Sequence, residues 1–483
     1  MKNWLEVRYL ASPQKIALYQ AGTAFTYADL YDSVSKVAGA LAERGIQKGH
    51  RVGLYAPNNF DTVCVIYALM GLGAILVPIN RRLNLEEARW QIETARCQAV
   101  IVGDADTEFF ASLTEPAFYP SSTLLNGPAI PLQPCQLEDD ALIIYTSGTS
   151  GQPKGAILTL ANLFYSATAS AYRIGISLND RWLCVLPLYH IGGINILVRS
   201  FLYGTSVDLY ERFEIDTIDQ ALRDDPITLI SLVPTMLYRL LKEGRPDDWN
   251  PHLRLILLGG AKASPELIEL CQQRALPIAT TYGLSEAASQ VATSLPGDAL
   301  NKVGTAGRPL LFSSIEIMDE NGNVLDSGQV GEIVVSGLTV MRAYDQAAEA
   351  TAKTLRDGKL HTGDIGYLDG EGDLFVLERR SDLIISGGEN IYPSEIETCL
   401  LNLEAIEAAA VIGLPDPEWG QRVAAVLVLK AGHTITTAQL DTYCRQHLAA
   451  YKIPRHYRFV PALPLTASGK IKRQSLPALF EGE

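Results

Sequence analysis

Ile143-Ile-Tyr145 runs without a break into Thr146-Ser-Gly-Thr-Ser-Gly-Gln-Pro-Lys-Gly155. Apolar residues of strand type meet a run of Gly, Ser and Thr, with one Lys near its end. Small residues let backbone N–H groups approach phosphate oxygens, hydroxyls donate further bonds, and the ammonium adds a point charge. The order is not Gly-x-x-x-x-Gly-Lys-Ser/Thr, because Gly155 and not a hydroxyl residue follows Lys154. By composition alone the same residues also suit a surface turn.

On either side of this loop, short apolar runs alternate with helical stretches. Val52–Tyr55, Ala74–Val77, Ala99–Val102, Leu183–Leu186, Leu229–Val233, Leu255–Leu258 and Ile278–Thr281 read as strands, and Thr26–Arg44 as an amphipathic helix. This alternation predicts an α/β fold, a mainly parallel sheet with helices on its faces. Val63–Pro78 is the most apolar run. It is shorter than the roughly 20 residues of a membrane span, and reads as a buried helix followed by a strand. From Ser313 the strands Ile315–Met318, Gly331–Val335 and Leu374–Leu377 are short and bounded by turn residues, which predicts a smaller β-rich subdomain. Beyond Arg380 come a helix (Pro393–Leu403), two strands (Ala408–Gly413, Arg422–Leu429) and a helix (Thr437–Leu448). We therefore expect a large domain, 1–380, and a small mobile α+β domain, 381–483.

The 483 residues exceed the roughly 250–300 that one core sustains. Lys and Arg total 40 against 54 Asp and Glu, a net charge of −14, which argues against a nucleic-acid or anionic-membrane partner. The 7 Cys lie singly, with no CxxC pair, and the 7 His show no HxxxH spacing. This pattern predicts reduced thiols, neither a zinc site nor a disulfide framework, and a cytoplasmic protein. No signal peptide is read at the N-terminus, where Glu6 and Arg8 interrupt the apolar character. One segment runs against the acidic balance. Tyr451–Arg473 carries Lys452, Arg455, Arg458, Lys470, Lys472 and Arg473 and no acidic residue, so a basic patch for polyanionic ligands is expected there.

Tyr145–Gly155 resembles the signature loop of the adenylate-forming superfamily, which includes acyl-CoA synthetases, luciferases and peptide-synthetase adenylation domains. That family's other motifs have counterparts in order. These are Leu186-Pro-Leu-Tyr-His190, Tyr282-Gly-Leu-Ser-Glu286, His361-Thr-Gly-Asp364, Arg379-Arg-Ser-Asp382 with Ile385-Ser-Gly-Gly-Glu-Asn390, and Thr466-Ala-Ser-Gly-Lys470. The resemblance covers nearly the whole chain. It departs at Glu378, where many members carry Gly before the Arg.

The resemblance implies two half-reactions with ATP, Mg²⁺ and coenzyme A. A carboxylate attacks the α-phosphorus of ATP, and a thiolate then attacks the acyl-adenylate. Thr146, Ser147, Gly148, Thr149 and Lys154 are implied for the phosphates, and Glu286 for Mg²⁺, which takes few carboxylates. Ser285 beside Glu286 equally reads as a helix N-cap. Gly259, Gly260, Ala261, Thr281, Tyr282 and Gly283 are implied for the adenylate, and Asp364 with Arg379 for the ribose. Tyr282 also reads as a core tyrosine, and Asp364 as a turn residue beside Gly363. His190 is implied at the reacting acid, and Lys470 between the attacking carboxylate and the α-phosphate. Ser386, Gly387 and Gly388 would make room for the pantetheine thiol after rotation about a hinge at Ser381-Asp382.

For the acid itself, no Asp stands near Tyr189-His-Ile-Gly-Gly193 to hold an amino group, so an amino acid is not expected. Leu186–Gly204 together with Leu257–Gly260, Thr280–Gly283 and Glu286–Gln290 resembles the superfamily's o-succinylbenzoate–CoA ligases of quinone biosynthesis. Another aromatic or fatty acid remains the alternative. Such a keto diacid carries a second carboxylate, for which Arg199, Ser289 and Gln290 are candidates. Arg199 in an apolar helix equally reads as half of a buried ion pair. The expected partners are small molecules, with no stable membrane insertion and a homodimer as the assembly.

Overall fold

A computed structural model describes residues 2–147, 153–378, 383–464 and 471–480. The chain divides into two compact units. One comprises Met1–Arg81, Ile92–Ile144 and Gly155–Glu378, and the other Arg82–Gln91, Tyr145–Lys154 and Arg379–Glu483. The expected boundary at residues 380–381 falls outside the described residues.

A nine-stranded sheet runs in the order Arg308–Pro309, Ser289–Thr293, Ile278–Leu284, Leu255–Leu258, Leu229–Leu232, Arg181–Cys184, Ser206–Leu209, Ile16–Gln20, Thr23–Thr26. Pairing is parallel from Ile278–Leu284 to Ile16–Gln20 and antiparallel at both ends. Its central strands read as unbroken apolar runs because both faces are covered. Leu229, Leu255, Leu257 and Ala279 enter one core, while Ile230, Leu232, Ile256, Leu258 and Ile278 enter another. The expected strand Leu183–Leu186 is found two residues earlier, at Arg181–Cys184, since Pro187 cannot extend a central ladder.

The second sheet has seven strands, ordered Ala343–Tyr344, Pro153–Thr159, Asp140–Ser147, Ile75–Pro78, Arg51–Tyr55, Ala99–Val102, Ala117–Pro120. Helix Tyr27–Glu43 begins with a reciprocal capping box between Thr26 and Asp29. Helix Phe60–Leu72 is buried almost all round, capped by Asn59, and stopped by Gly73 in the left-handed region (φ 69°). A third sheet is antiparallel: Ser313–Met318, Gly331–Gly337, Lys359–Leu368 and Leu355–Arg356, with Leu374–Glu378 beside Lys359–Leu368. Burial alternates along Lys359–Leu368, as a one-sided sheet requires.

In the second unit the hairpin Ile406–Asp416 and Gly420–Leu429 carries Ile384–Ser386 with Glu389–Ile391, and His456–Phe459 in parallel. Helices Pro393–Leu401 and Thr437–His447 supply Ile396, Leu400, Leu440 and Cys444 to its core. The seven cysteines are all buried and none is in a disulfide. No helix among the described residues is long and apolar enough to cross a membrane.

Two cations of the expected basic stretch are drawn into ion pairs. Lys452, 3% exposed, is paired with Glu87 at 2.8 Å and Glu395 at 2.6 Å, all within the second unit. Burial pulls its pKa down, but Tyr451 and the two carboxylates outweigh burial and raise it. Arg473 pairs with Glu397 at 2.6 Å. Two of the six cations are thus neutralised by carboxylates distant in sequence, and Lys470 lies outside the described residues.

Candidate active site

Several candidates of the first unit lie at the carboxyl ends of parallel strands, where the chain leaves the sheet. Leu255–Leu258 ends at Gly259-Gly-Ala261. A Cβ at Gly259 would lie 2.7 Å from the Thr281 methyl, and Gly260 has φ 82°. The neighbouring strand continues through Thr281, Tyr282 and Gly283. Thr281 Oγ1 donates to the Ala292 carbonyl at 2.8 Å, tying this strand to its antiparallel partner.

Tyr282 is 3% exposed, and its hydroxyl donates to Asp364 Oδ2 at 2.7 Å. Both sequence readings of Tyr282 therefore meet in one residue: the ring is in the core, and its polar end orients a candidate ribose carboxylate. Asp364 sits within the strand Lys359–Leu368 and is 8% exposed, which removes the turn reading. Thr362 Oγ1 accepts from its backbone N–H at 3.1 Å.

Glu286 lies in a short 3-10 turn, Ser285–Ala287, whose N-cap position is Leu284 with no side-chain cap. Ser285 is therefore not the cap that the sequence allowed. Glu286 is 8% exposed, its Oε1 accepts from the Tyr344 hydroxyl at 2.7 Å, and its carbonyl accepts from Met341 N–H at 2.7 Å. Tyr344 was not a candidate from sequence, since nothing in Ala343-Tyr344 marks a partner 58 residues away. No group of three or more His, Cys, Asp or Glu that could hold a metal occurs among the described residues. One buried, oriented carboxylate fits Mg²⁺, which completes its octahedron with phosphate oxygens and water. It does not fit zinc.

Helix Ile191–Tyr203 carries the acid-side candidates. His190 is its N-cap residue, and its ring lies 4.7 Å from that of Tyr189. Arg199 is 2% exposed, with its guanidinium 5.6 Å from the Trp182 ring. Its Nε and Nη2 have no hydrogen-bond partner, and no carboxylate pairs with it among the described residues. The ion-pair reading is therefore set aside. Burial lowers its pKa, offset in part by Tyr203. Ser289 has φ 87°. Gln290 Nε2 donates to Thr293 Oγ1 at 3.1 Å, leaving its buried Oε1 without a partner. Ile191–Tyr203 packs against the strand Ser289–Thr293.

In the second unit, Ser147 ends the strand Asp140–Ser147, and Thr146 Oγ1 donates to the Lys154 carbonyl at 3.5 Å. Ser386 ends the strand Ile384–Ser386, and Gly387 and Gly388 follow with φ 57° and 84°. A Cβ at Gly387 would meet the Trp419 ring at 2.8 Å, so no larger residue fits without displacing it. Gly148, Thr149, Arg379, Lys470 and the Ser381-Asp382 hinge lie outside the described residues.

A buried metal-type carboxylate, a tyrosine-held ribose-type carboxylate and glycines at the sheet's carboxyl edge define an enzyme that binds an adenine nucleotide. The chain belongs to the AMP-binding enzyme family: that family's model matches residues 5–345, and the model of its C-terminal domain matches 395–470. Within the family it is 41% identical over 476 residues to the 2-succinylbenzoate–CoA ligase of Listeria monocytogenes, covering 99% of each chain. It is also similar to a double-mutant o-succinylbenzoate CoA synthetase of Bacillus subtilis bound with its product analogue. That similarity has a TM-score of 0.94 and 36% identity, over 99% of this chain and 98% of that one. The Bacillus subtilis enzyme in complex with ATP and magnesium ion matches with a TM-score of 0.76 at 36% identity, covering 99% of each chain.

Proposed function

We infer that this protein is an ATP-dependent acid–CoA ligase that converts 2-succinylbenzoate, ATP and CoA to 2-succinylbenzoyl-CoA, AMP and pyrophosphate, in menaquinone or phylloquinone biosynthesis. The acid's carboxylate oxygen attacks the α-phosphorus and pyrophosphate leaves. The CoA thiolate then attacks the acyl carbonyl and AMP leaves. Both steps bring anions together, so positioning and charge neutralisation are what the chain must supply.

The observation that carries the acid assignment is Arg199, a buried cation whose Nε and Nη2 lack a partner. Such a group is costly unless a ligand pairs it. The second carboxylate of 2-succinylbenzoate supplies that pair, with Gln290 and Ser289 as neutral neighbours. Asp364, fixed by Tyr282, accepts from the ribose hydroxyls, and Arg379 is assigned to the same ribose. Glu286, fixed by Tyr344, holds Mg²⁺, which when bound neutralises phosphate charge. Thr146, Ser147, Gly148, Thr149 and Lys154 cradle the phosphates. Gly259, Gly260, Ala261, Thr281 and Gly283 face the adenylate. His190 contacts the reacting acid, and Lys470 bridges it to the α-phosphate. Ser386, Gly387 and Gly388 admit the thiol. We assign these roles to a large domain, 1–380, and a small one, 381–483. We place the protein in the cytoplasm as a homodimer, which sedimentation tests.

The acid assignment is tested with 4-oxo-4-phenylbutanoate, which is 2-succinylbenzoate without its ring carboxylate. The wild type is expected to prefer the diacid by about 100-fold in kcat/KM, and Arg199→Ala to lose most of that preference. Equal discrimination in both proteins would remove Arg199 from the acid site.

A further inference from the structure

Ala288 and Ser289 follow Glu286 with φ 51° and 87°, two consecutive non-glycine residues in the left-handed region. Residues with a Cβ avoid that region, so such a pair persists only where its surroundings hold it. The Ala288 carbonyl accepts two buried hydrogen bonds, from Ser166 Oγ at 2.7 Å and from Asn195 Nδ2 at 2.8 Å. A carbonyl oxygen has two lone pairs, and here both are used. Ser166 is 0% exposed on helix Leu160–Ile174, and Asn195 is 1% exposed on helix Ile191–Tyr203. From the other side the Ser289 carbonyl closes on Gly283, where a Cβ would lie only 1.8 Å from it. Two helices and one glycine thus converge on a single turn.

This turn follows Glu286, includes Ser289 and leads into Gln290. Asn195 stands four residues before Arg199, on the same helix face. Its amide must present Nδ2 to the carbonyl, and its Oδ1 has no partner. We propose that Asn195 and Ser166 are positioning residues for the acid. By gripping the Ala288 carbonyl together they hold the left-handed turn, and with it the placement of Ser289 and Gln290 on which acid affinity depends. The proposal rests on the acid–CoA ligase reading above. Because both donors act through one carbonyl, their removal is not additive.

The test is steady-state kinetics of Ser166→Ala, Asn195→Ala and the double variant, with acid and ATP each varied. Each single variant is expected to raise KM for the acid about fivefold or more, with KM for ATP within about twofold of wild type. The double variant is expected to lose less than the product of the two single losses. Asn195→Asp, which replaces the donor by an oxygen, should behave like Asn195→Ala. An unchanged acid KM, equal rises in both KM values, or losses that multiply would each overturn the proposal. If Asn195→Ala does not fold, Ser166→Ala decides by the same criteria. The wild type is assayed first on a panel of acids, and the variants on whichever acid it turns over. Failure on 2-succinylbenzoate alone therefore strikes the substrate reading and not the positioning one. A wild type that turns over no acid overturns both.

Discussion

Arg199 holds a charge at 2% exposure with two guanidinium nitrogens unpaired among the described residues. Taking an ion out of water costs several kcal/mol unless it is paired. Arg199→Met is therefore expected to keep or raise the melting temperature of the ligand-free protein while losing affinity for the diacid. A melting temperature lower by many degrees would restore the structural ion pair. Tyr282 makes the opposite case. Its hydroxyl donates to Asp364 at 2.7 Å in a buried setting, and a hydrogen bond to a charged group is worth about 1.5–3 kcal/mol. Tyr282→Phe is expected to raise KM for ATP by about tenfold while the acid's KM stays near wild type, and an unchanged ATP KM would contradict it. Glu286, Asp364 and Arg199 were legible because each stands in a motif or breaks an apolar helix. Tyr344, Ser166 and Asn195 were not, because their partners lie 58, 122 and 93 residues away. Asn195 did leave one signal, a second polar residue on Arg199's face of the helix.

Strands buried on both faces, such as Leu255–Leu258, announce themselves as apolar runs and were read within a residue or two. The hairpin Ile16–Gln20 and Thr23–Thr26 went unread, since its outer strand is an edge with no buried residue. The bulged hairpin Ile278–Leu284 and Ser289–Thr293 depends on Gly283 for its close approach. Gly283→Ala is expected to destabilise by about 1–3 kcal/mol, by overpacking against the Ser289 carbonyl, and an unchanged melting curve would count against that contact. Lys452 joins helices Leu85–Thr94 and Pro393–Leu401 through Glu87 and Glu395. Lys452→Met leaves two half-buried carboxylates without their shared cation and is expected to destabilise by about 3 kcal/mol. A urea unfolding midpoint equal to wild type would show that the pair contributes little.

For the molecule as a whole, the alternation of strands and helices was enough to predict parallel sheets with a β-rich addition and a small α+β module. Charge was less informative. The net −14 says nothing of which small anions are bound, and the +6 stretch read at Tyr451–Arg473 is partly spent inside the fold on Glu87, Glu395 and Glu397. A linear charge run cannot foresee carboxylates brought in from residues 87 and 395–397, because their approach depends on tertiary packing. 2-Succinylbenzoate is the acid proposed above. The measurement that tests that assignment most directly is CoA-dependent AMP release by the full-length protein with ATP and Mg²⁺, over a panel of 2-succinylbenzoate, benzoates and fatty acids. Turnover with 2-succinylbenzoate is expected to lie far above that with every other acid. Turnover with benzoates or fatty acids and none with 2-succinylbenzoate would contradict the assignment.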